Sequence, residues 1–213
     1  MNLLECLVAI ALSLLLLNPL LKSSADLVAK QIQYEKTQAL ISEADRAFTL
    51  IGRAIRMAGY RNISSGGPQN KHSSSVHLIE VQKKSGYRGS DLLIIRHELS
   101  GGIDFDCIGN EPTKERTKNH FAYQGFLVDR QASLPKGVKA NGGSLICQSL
   151  DRQGRLQNTT LMNGVNHLLV EEIGATGSSN ASKQKRFKVK LQMTDGAHLN
   201  LDLERTFSTR NLL

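Results

Sequence analysis

Between Gly101 and Glu111 the chain reads GGIDFDCIGNE, which crowds the oxygen-bearing side chains of Asp104, Asp106, Asn110 and Glu111 into one short stretch. Such donors are what a Ca²⁺ ion takes, but the EF-hand order of ligands is absent, so the stretch reads as a solvated loop tied down by Cys107. The histidines stand at 72, 77, 97, 120, 167 and 198, and no two form an H-x-x-x-H pair. Strand or surface roles follow rather than metal ligation. There is no C-x-x-C or Cys/His cluster for zinc, no G-x-S-x-G, no Walker loop and no dinucleotide fingerprint. Nothing here predicts a cofactor.

Two further groups of titratable residues stand out. KQKRFKVK puts Lys183, Lys185, Arg186, Lys188 and Lys190 into one β-prone segment. On an edge strand such lysines block pairing with other sheets; the competing reading is a grip on DNA or another polyanion. Aromatic residues are few there, which argues against a single-strand stacking platform. The other group is one residue. Glu5 sits in MNLLECLVAIALSLLLLNPLL, where everything else from Leu3 to Leu21 is uncharged. A carboxylate at membrane depth costs roughly 2.5 kcal/mol or more.

The elements around these residues follow from periodicity. The apolar run is about 19 residues long, which suits a transmembrane helix and is long for a secretory signal. Lys22 follows it and can snorkel. Pro19 removes a hydrogen bond to Leu15 and is expected to kink or loosen the helix. Helical spacing resumes with Ile41, Ala44, Phe48, Ile51, Ile55 and Ala58, and Leu27, Val28 and Tyr34 extend the stripe upstream. Gly59 is a natural stop, and Gly52 inside the stripe predicts close packing against a sheet.

After Tyr60 the pattern becomes β. The expected strands are Val76–Gln82, Asp91–Glu98, Phe121–Asp129, Ser144–Leu150, Asn166–Ile173, Arg186–Met193 and Ala197–Glu204, with Asp195-Gly196 as a hairpin turn. No second helical stripe appears. The fold class is therefore α+β: a long N-terminal helix, half transmembrane and half amphipathic, packed on an antiparallel sheet. The expected divisions are 1–22 (membrane helix), 23–60 (amphipathic continuation) and 61–213 (β-rich head). The chain's formal net charge is +8, and most of the excess lies beyond Tyr60. Cys107 and Cys147 can pair if the head lies in an oxidising compartment. That would close a loop of about 40 residues, worth roughly 4 kcal/mol in the chain-entropy model.

Taken together, these segments resemble the type IV pilin family, and most closely its PilW-type minor pilins. Family mature chains begin roughly F-x-L-x-E before an apolar run, and MNLLECLVAIALSLLLL matches with Met1 first and Glu5 fifth. DRAFTLIGRAIRMAGYRNI resembles the stretch ending R-M-A-G-Y, here Arg56 to Tyr60. SDLLIIRHE with DFDCIGNE, then LICQSL, LMNGVNHLLVEEI and RTFSTRNLL, carry the likeness along nearly the whole chain. One departure is that major pilins often carry Pro at mature position 22, where this chain has Lys22 and places its proline at 19.

The resemblance implies a non-enzymatic filament subunit with a pilin-like fold. It implies a short basic leader ahead of Met1, removed by prepilin peptidase, and N-methylation of Met1. It implies storage in the inner membrane with a periplasmic head, then a place in the pilus at the cell surface. Partners would be other minor pilins, the major pilin and the inner-membrane assembly platform, with initiation of assembly in a tip complex as the role. Twitching, adhesion and DNA uptake lie downstream. A type II secretion pseudopilin is the nearest rival, disfavoured by RTFSTRNLL and the Cys107/Cys147 pair. A DNA-binding pilin is the second alternative, and a bitopic periplasmic enzyme, which predicts a tolerant Glu5, is the third.

Overall fold

A computed structural model of the chain describes residues 2–60, 77–100, 104–118, 121–132, 142–174, 185–197 and 199–210. Two compact units emerge, 1–41 and 42–213. One helix, α1 (Leu3–Met57), precedes seven strands: β1 (Ile79–Gln82), β2 (Leu92–Glu98), β3 (Phe121–Arg130), β4 (Gly143–Leu150), β5 (Leu156–Ile173), β6 (Arg186–Thr194) and β7 (Asn200–Ser208). Every neighbouring pair is antiparallel and the order is sequential, so the sheet is a meander. The α+β architecture expected from periodicity is present.

The last turns of α1 pack on the sheet through Ala44, Ala47, Phe48, Ile51, Gly52, Ala54 and Ile55, all buried. Their spacing places them on one face of a helix with 3.6 residues per turn. Leu27, Val28 and Tyr34, expected to prolong this stripe, are instead exposed. Burial begins only at Ala44. Gly59, with φ 72°, ends the helix in the left-handed region, where glycine carries no Cβ penalty. Its N–H donates to the Arg96 carbonyl at 3.2 Å, joining the helix end to β2. Pro19 lies within α1, and the helix runs on past it to Met57.

Gly52 meets the expectation of close packing. A Cβ at this position would lie 2.6 Å from Phe207 Cδ1 on β7. Phe207 in turn packs against Phe48, with ring centroids 6.3 Å apart, and Arg205 lies over Phe48 while bonding Asp45 at 2.7 Å. Gly52→Leu would force these rings apart. We expect it to lower unfolding stability by about 2 to 3 kcal/mol, as overpacking does, in chemical denaturation of the full chain in detergent.

Each of the seven expected strands has a counterpart, but β1 begins at Ile79 (Val76 lies outside the described residues), β7 runs Asn200–Ser208 rather than Ala197–Glu204, and β5 starts ten residues before the expected Asn166. Its first half, Leu156 to Val165, pairs with β4, and its second half, Val165 to Ile173, pairs with β6. Gly164 at φ 76° and a register shift between Val165 and His167 mark the change of partner. The early half is rich in Gln, Asn and Thr and lacks clean alternation, so periodicity does not reveal it. The β6–β7 connection contains the expected Asp195-Gly196, but extends to Leu199. Asp195 Oδ1 accepts the Ala197 and Leu199 N–H groups, both at 2.9 Å.

Beyond the reach of β4, the second half of β5 has an open side, and a turn closes it. Asp91 N–H donates to the Leu168 carbonyl at 2.8 Å, and Leu168 N–H donates to Ser90 Oγ at 3.3 Å. Val170 N–H donates to Asp91 Oδ2 at 2.9 Å, and Lys83 Nζ donates to the Val170 carbonyl at 2.6 Å. Three residues of the β1–β2 connection thus supply what a neighbouring strand would. Asp91 itself is buried, bonds Lys83 at 2.9 Å and accepts the Lys84 N–H at 3.1 Å.

Candidate assembly surface

Glu5 occupies the third position of α1. Its Oε2 accepts the Asn2 N–H at 3.0 Å, while its own N–H donates to the Asn2 carbonyl at 2.9 Å. This is the side-chain half of a capping box, with the N3 carboxylate reaching back to the N-cap amide. The negative charge also lies at the positive end of the helix dipole. The N-L-L-E spacing is that of a cap, a role separate from the charge at membrane depth. Met1, the expected mature first residue, lies outside the described residues.

From Leu3 onward the helix is long and apolar enough to cross a membrane: its most apolar window has a mean hydropathy of 2.2 and none of it is buried. That is consistent with a single-pass anchor. Leu3 to Leu21 would span roughly 28 Å at 1.5 Å per residue, close to the hydrocarbon thickness of a bilayer. Glu5 then sits near one end of the span rather than at its centre, where a carboxylate is less costly. Ser13 returns its hydroxyl to the Ala9 carbonyl at 2.7 Å, so this polar group is satisfied within the helix. Cys6 is a free thiol on the exposed surface.

Cys107 and Cys147 form a disulfide with Cα atoms 6.0 Å apart. It fastens the Asp104–Glu111 loop to β4. Within that loop Asp106 Oδ1 accepts the Ile108 and Asn110 N–H groups at 3.0 and 2.8 Å, and Asp104 accepts the Ser100 N–H at 2.7 Å. These acids serve the loop's own backbone. No group of three or more metal-ligating side chains occurs among the described residues. Arg53 of α1 donates to the Phe105 carbonyl at 2.6 Å and lies over the Phe105 ring, so the loop also clasps the helix. Cys107→Ser is expected to lower stability by up to about 4 kcal/mol. Denaturation with and without reductant checks it: reductant should weaken the parent and leave the variant unchanged.

The basic segment is placed differently from its expected position. β6 is not an edge strand; it lies between β5 and β7. Its lysines face carboxylates across the strands: Lys188 meets Glu204 at 2.9 Å, Lys190 meets Asp202 at 3.0 Å, and Lys185, just before β6, meets Glu172 at 2.8 Å. The Glu204 hydrogen bond raises the Lys188 ammonium above its usual range, and the Lys190 hydrogen bond holds Asp202 below the usual carboxylate range. Arg186 starts the strand, exposed and paired in register with Ser208. Lys183 lies outside the described residues. Cross-strand pairing, not edge protection, is the role the fold gives these charges.

Of the histidines, His97 is buried, with Nδ1 3.0 Å from the Glu98 carbonyl and Nε2 3.4 Å from Gln124 Nε2. His167 Nε2 lies 3.1 Å from the Arg88 carbonyl. His77 is exposed; His72, His120 and His198 lie outside the described residues. The structure brings together neither the histidines nor the acids into a catalytic constellation among the described residues.

Comparison with protein-family models, with curated proteins and with solved structures gives no match in any of the three. The functional reading therefore rests on the chain's own residues.

Proposed function

We propose that this chain is a type IV pilus minor pilin of the PilW type: a non-enzymatic subunit held in the inner membrane with a periplasmic head, which helps start pilus assembly alongside other minor pilins. One observation carries the reading. Glu5 is the single charged residue in the unburied apolar run from Leu3 to Leu21, and the helix that carries this run continues to Met57, ahead of strands stapled by the Cys107–Cys147 disulfide.

The physical logic is that of a temporary anchor. A helix meant only to anchor can be capped by an uncharged side chain as well, so the cap alone does not call for a carboxylate at this depth. A helix that leaves lipid to join a bundle of like helices can use one as a register device, because a buried charge is tolerable when paired and costly when alone. On this reading the partner is the α-amino group of a neighbouring subunit's processed N-terminus. The proposal does not include DNA binding through β6, whose described lysines face carboxylates.

The test is complementation. Deleting the gene should reduce pilus number, the parent chain should restore it, and Glu5→Ala should not. Full restoration by Glu5→Ala would remove the basis of the proposal.

A further inference from the structure

The sheet leaves one stretch of strand edge that is neither short, charged nor sealed. Among the described residues, Leu156 to Asn163 pairs with β4 on one side and with nothing on the other, because β6 joins β5 only from Val165 onward. The other edges are managed. β1 has four residues. β7 carries Asp202, Glu204 and Arg205, each in an ion pair. The second half of β5 is closed by Ser90, Asp91 and Lys83. The open stretch reads LQNTTLMN, with no charge and no proline, so it lacks the usual devices that keep strands from pairing. Leu156 is 53% exposed, and Gln157, Asn158 and Thr160 are exposed beside it.

A register shift between Leu145 and Ile146 leaves Leu161 as an extra residue, so the regular part of the edge is Leu156 to Thr160. We propose that this segment pairs with the same segment of a second copy of this chain, antiparallel about a two-fold axis through Asn158. That symmetry sets Leu156 opposite Thr160, Gln157 opposite Thr159, and Asn158 opposite itself. The segment is self-complementary because it is uncharged: no like charges meet, and polar and apolar side chains tolerate each other across the ladder. β7 paired with itself would lay charges already committed to β6 against one another. A ladder of five residues is far smaller than the roughly 1,200 Å² of a stable interface. The contact is therefore weak and reversible, and takes effect where copies are concentrated in a membrane or assembly.

Cysteine cross-linking of the full chain in detergent tests this, in a Cys6→Ser background. A two-fold axis through Asn158 brings Asn158→Cys beside its own copy, whereas Thr206→Cys on β7 serves as the edge control. Covalent homodimer should form about ten-fold faster at Asn158→Cys than at Thr206→Cys. Adding Leu156→Lys with Thr160→Lys sets lysine opposite lysine and should slow it about ten-fold; Leu156→Lys with Thr160→Glu sets opposite charges together and should restore it. Equal rates at the two cysteine positions, or equal rates for the Lys/Lys and Lys/Glu pairs, would overturn the proposal. So would protection from hydrogen exchange, at every dilution, of those amides of Leu156 to Thr160 that point away from β4, since this chain would then be covering its own edge. None of these readouts involves pili, so failure of the pairing and failure of the pilin reading are separable.

Discussion

Glu5→Gln is expected to leave the helix capped and the chain in the membrane, but to abolish the proposed pilus assembly. The structure makes this variant sharper than the alanine. Glutamine at N3 can still accept the Asn2 N–H, so the capping box survives. Alanine removes both the cap and the charge. If Glu5 only capped α1, glutamine would behave as the parent and alanine would lose about 1 kcal/mol of helix stability. If the carboxylate pairs with a neighbour's amine, both variants fail alike. The expected result is equal membrane fractionation for all three chains, with pilus number in both variants falling to that of the deletion strain. Normal pilus number with glutamine and a deficit with alanine would reduce Glu5 to a helix cap.

A large effect on stability is expected at Asp91. Its carboxylate accepts the Val170 and Lys84 N–H groups and the Lys83 ammonium from a buried position. Asp91→Ala would orphan the buried Val170 N–H, at about 1 to 3 kcal/mol, and take a partner from the Lys84 N–H and from Lys83, so a loss of about 3 kcal/mol is expected. Asp91→Asn keeps one acceptor oxygen and should lose less. Burial pushes the Asp91 carboxyl up, but the Val170 N–H, Lys83 and the Lys84 N–H outweigh it and hold the carboxyl below its usual range. A depressed folded value means this stability is fully present above the ordinary aspartate value near 4, and is lost as pH falls through the lower folded value. Denaturation midpoints measured from pH 6 down to pH 2 should therefore fall more steeply for the parent than for Asp91→Asn. Parallel curves would mean that Asp91 carries no linked proton.

These two residues differ in how far the sequence exposes them. Glu5 is conspicuous because it interrupts an apolar run, and its spacing from Asn2 is legible as a cap. Asp91 looks like an ordinary polar residue at the start of a strand, because the amides it serves are near Val170, far along the chain. Lys188 and Lys190 were legible as strand residues, since RFKVKLQM alternates cleanly. Their neighbours were not: whether a strand lies at an edge depends on the order of the whole meander. The early half of β5 is hidden because Gln157, Asn158 and Thr160 are exposed, Thr159 is only half-buried, and none carries an apolar signal. The disulfide was open to inference because two cysteines lay in a head expected outside the cytoplasm. Where burial sets the pattern, local spacing reveals the element; where long-range hydrogen bonds set it, the chain has to fold before the partner is visible.

The proposal that the Glu5-bearing anchor is temporary makes a membrane chain part of a filament. It is tested most directly by quantifying the parent chain, by mass spectrometry, in pili sheared from intact cells, beside an inner-membrane protein as a contamination marker. The chain is expected in the sheared filaments at a low ratio to the major subunit, with the marker absent. The chain confined to the membrane fraction while filaments are abundant would contradict it.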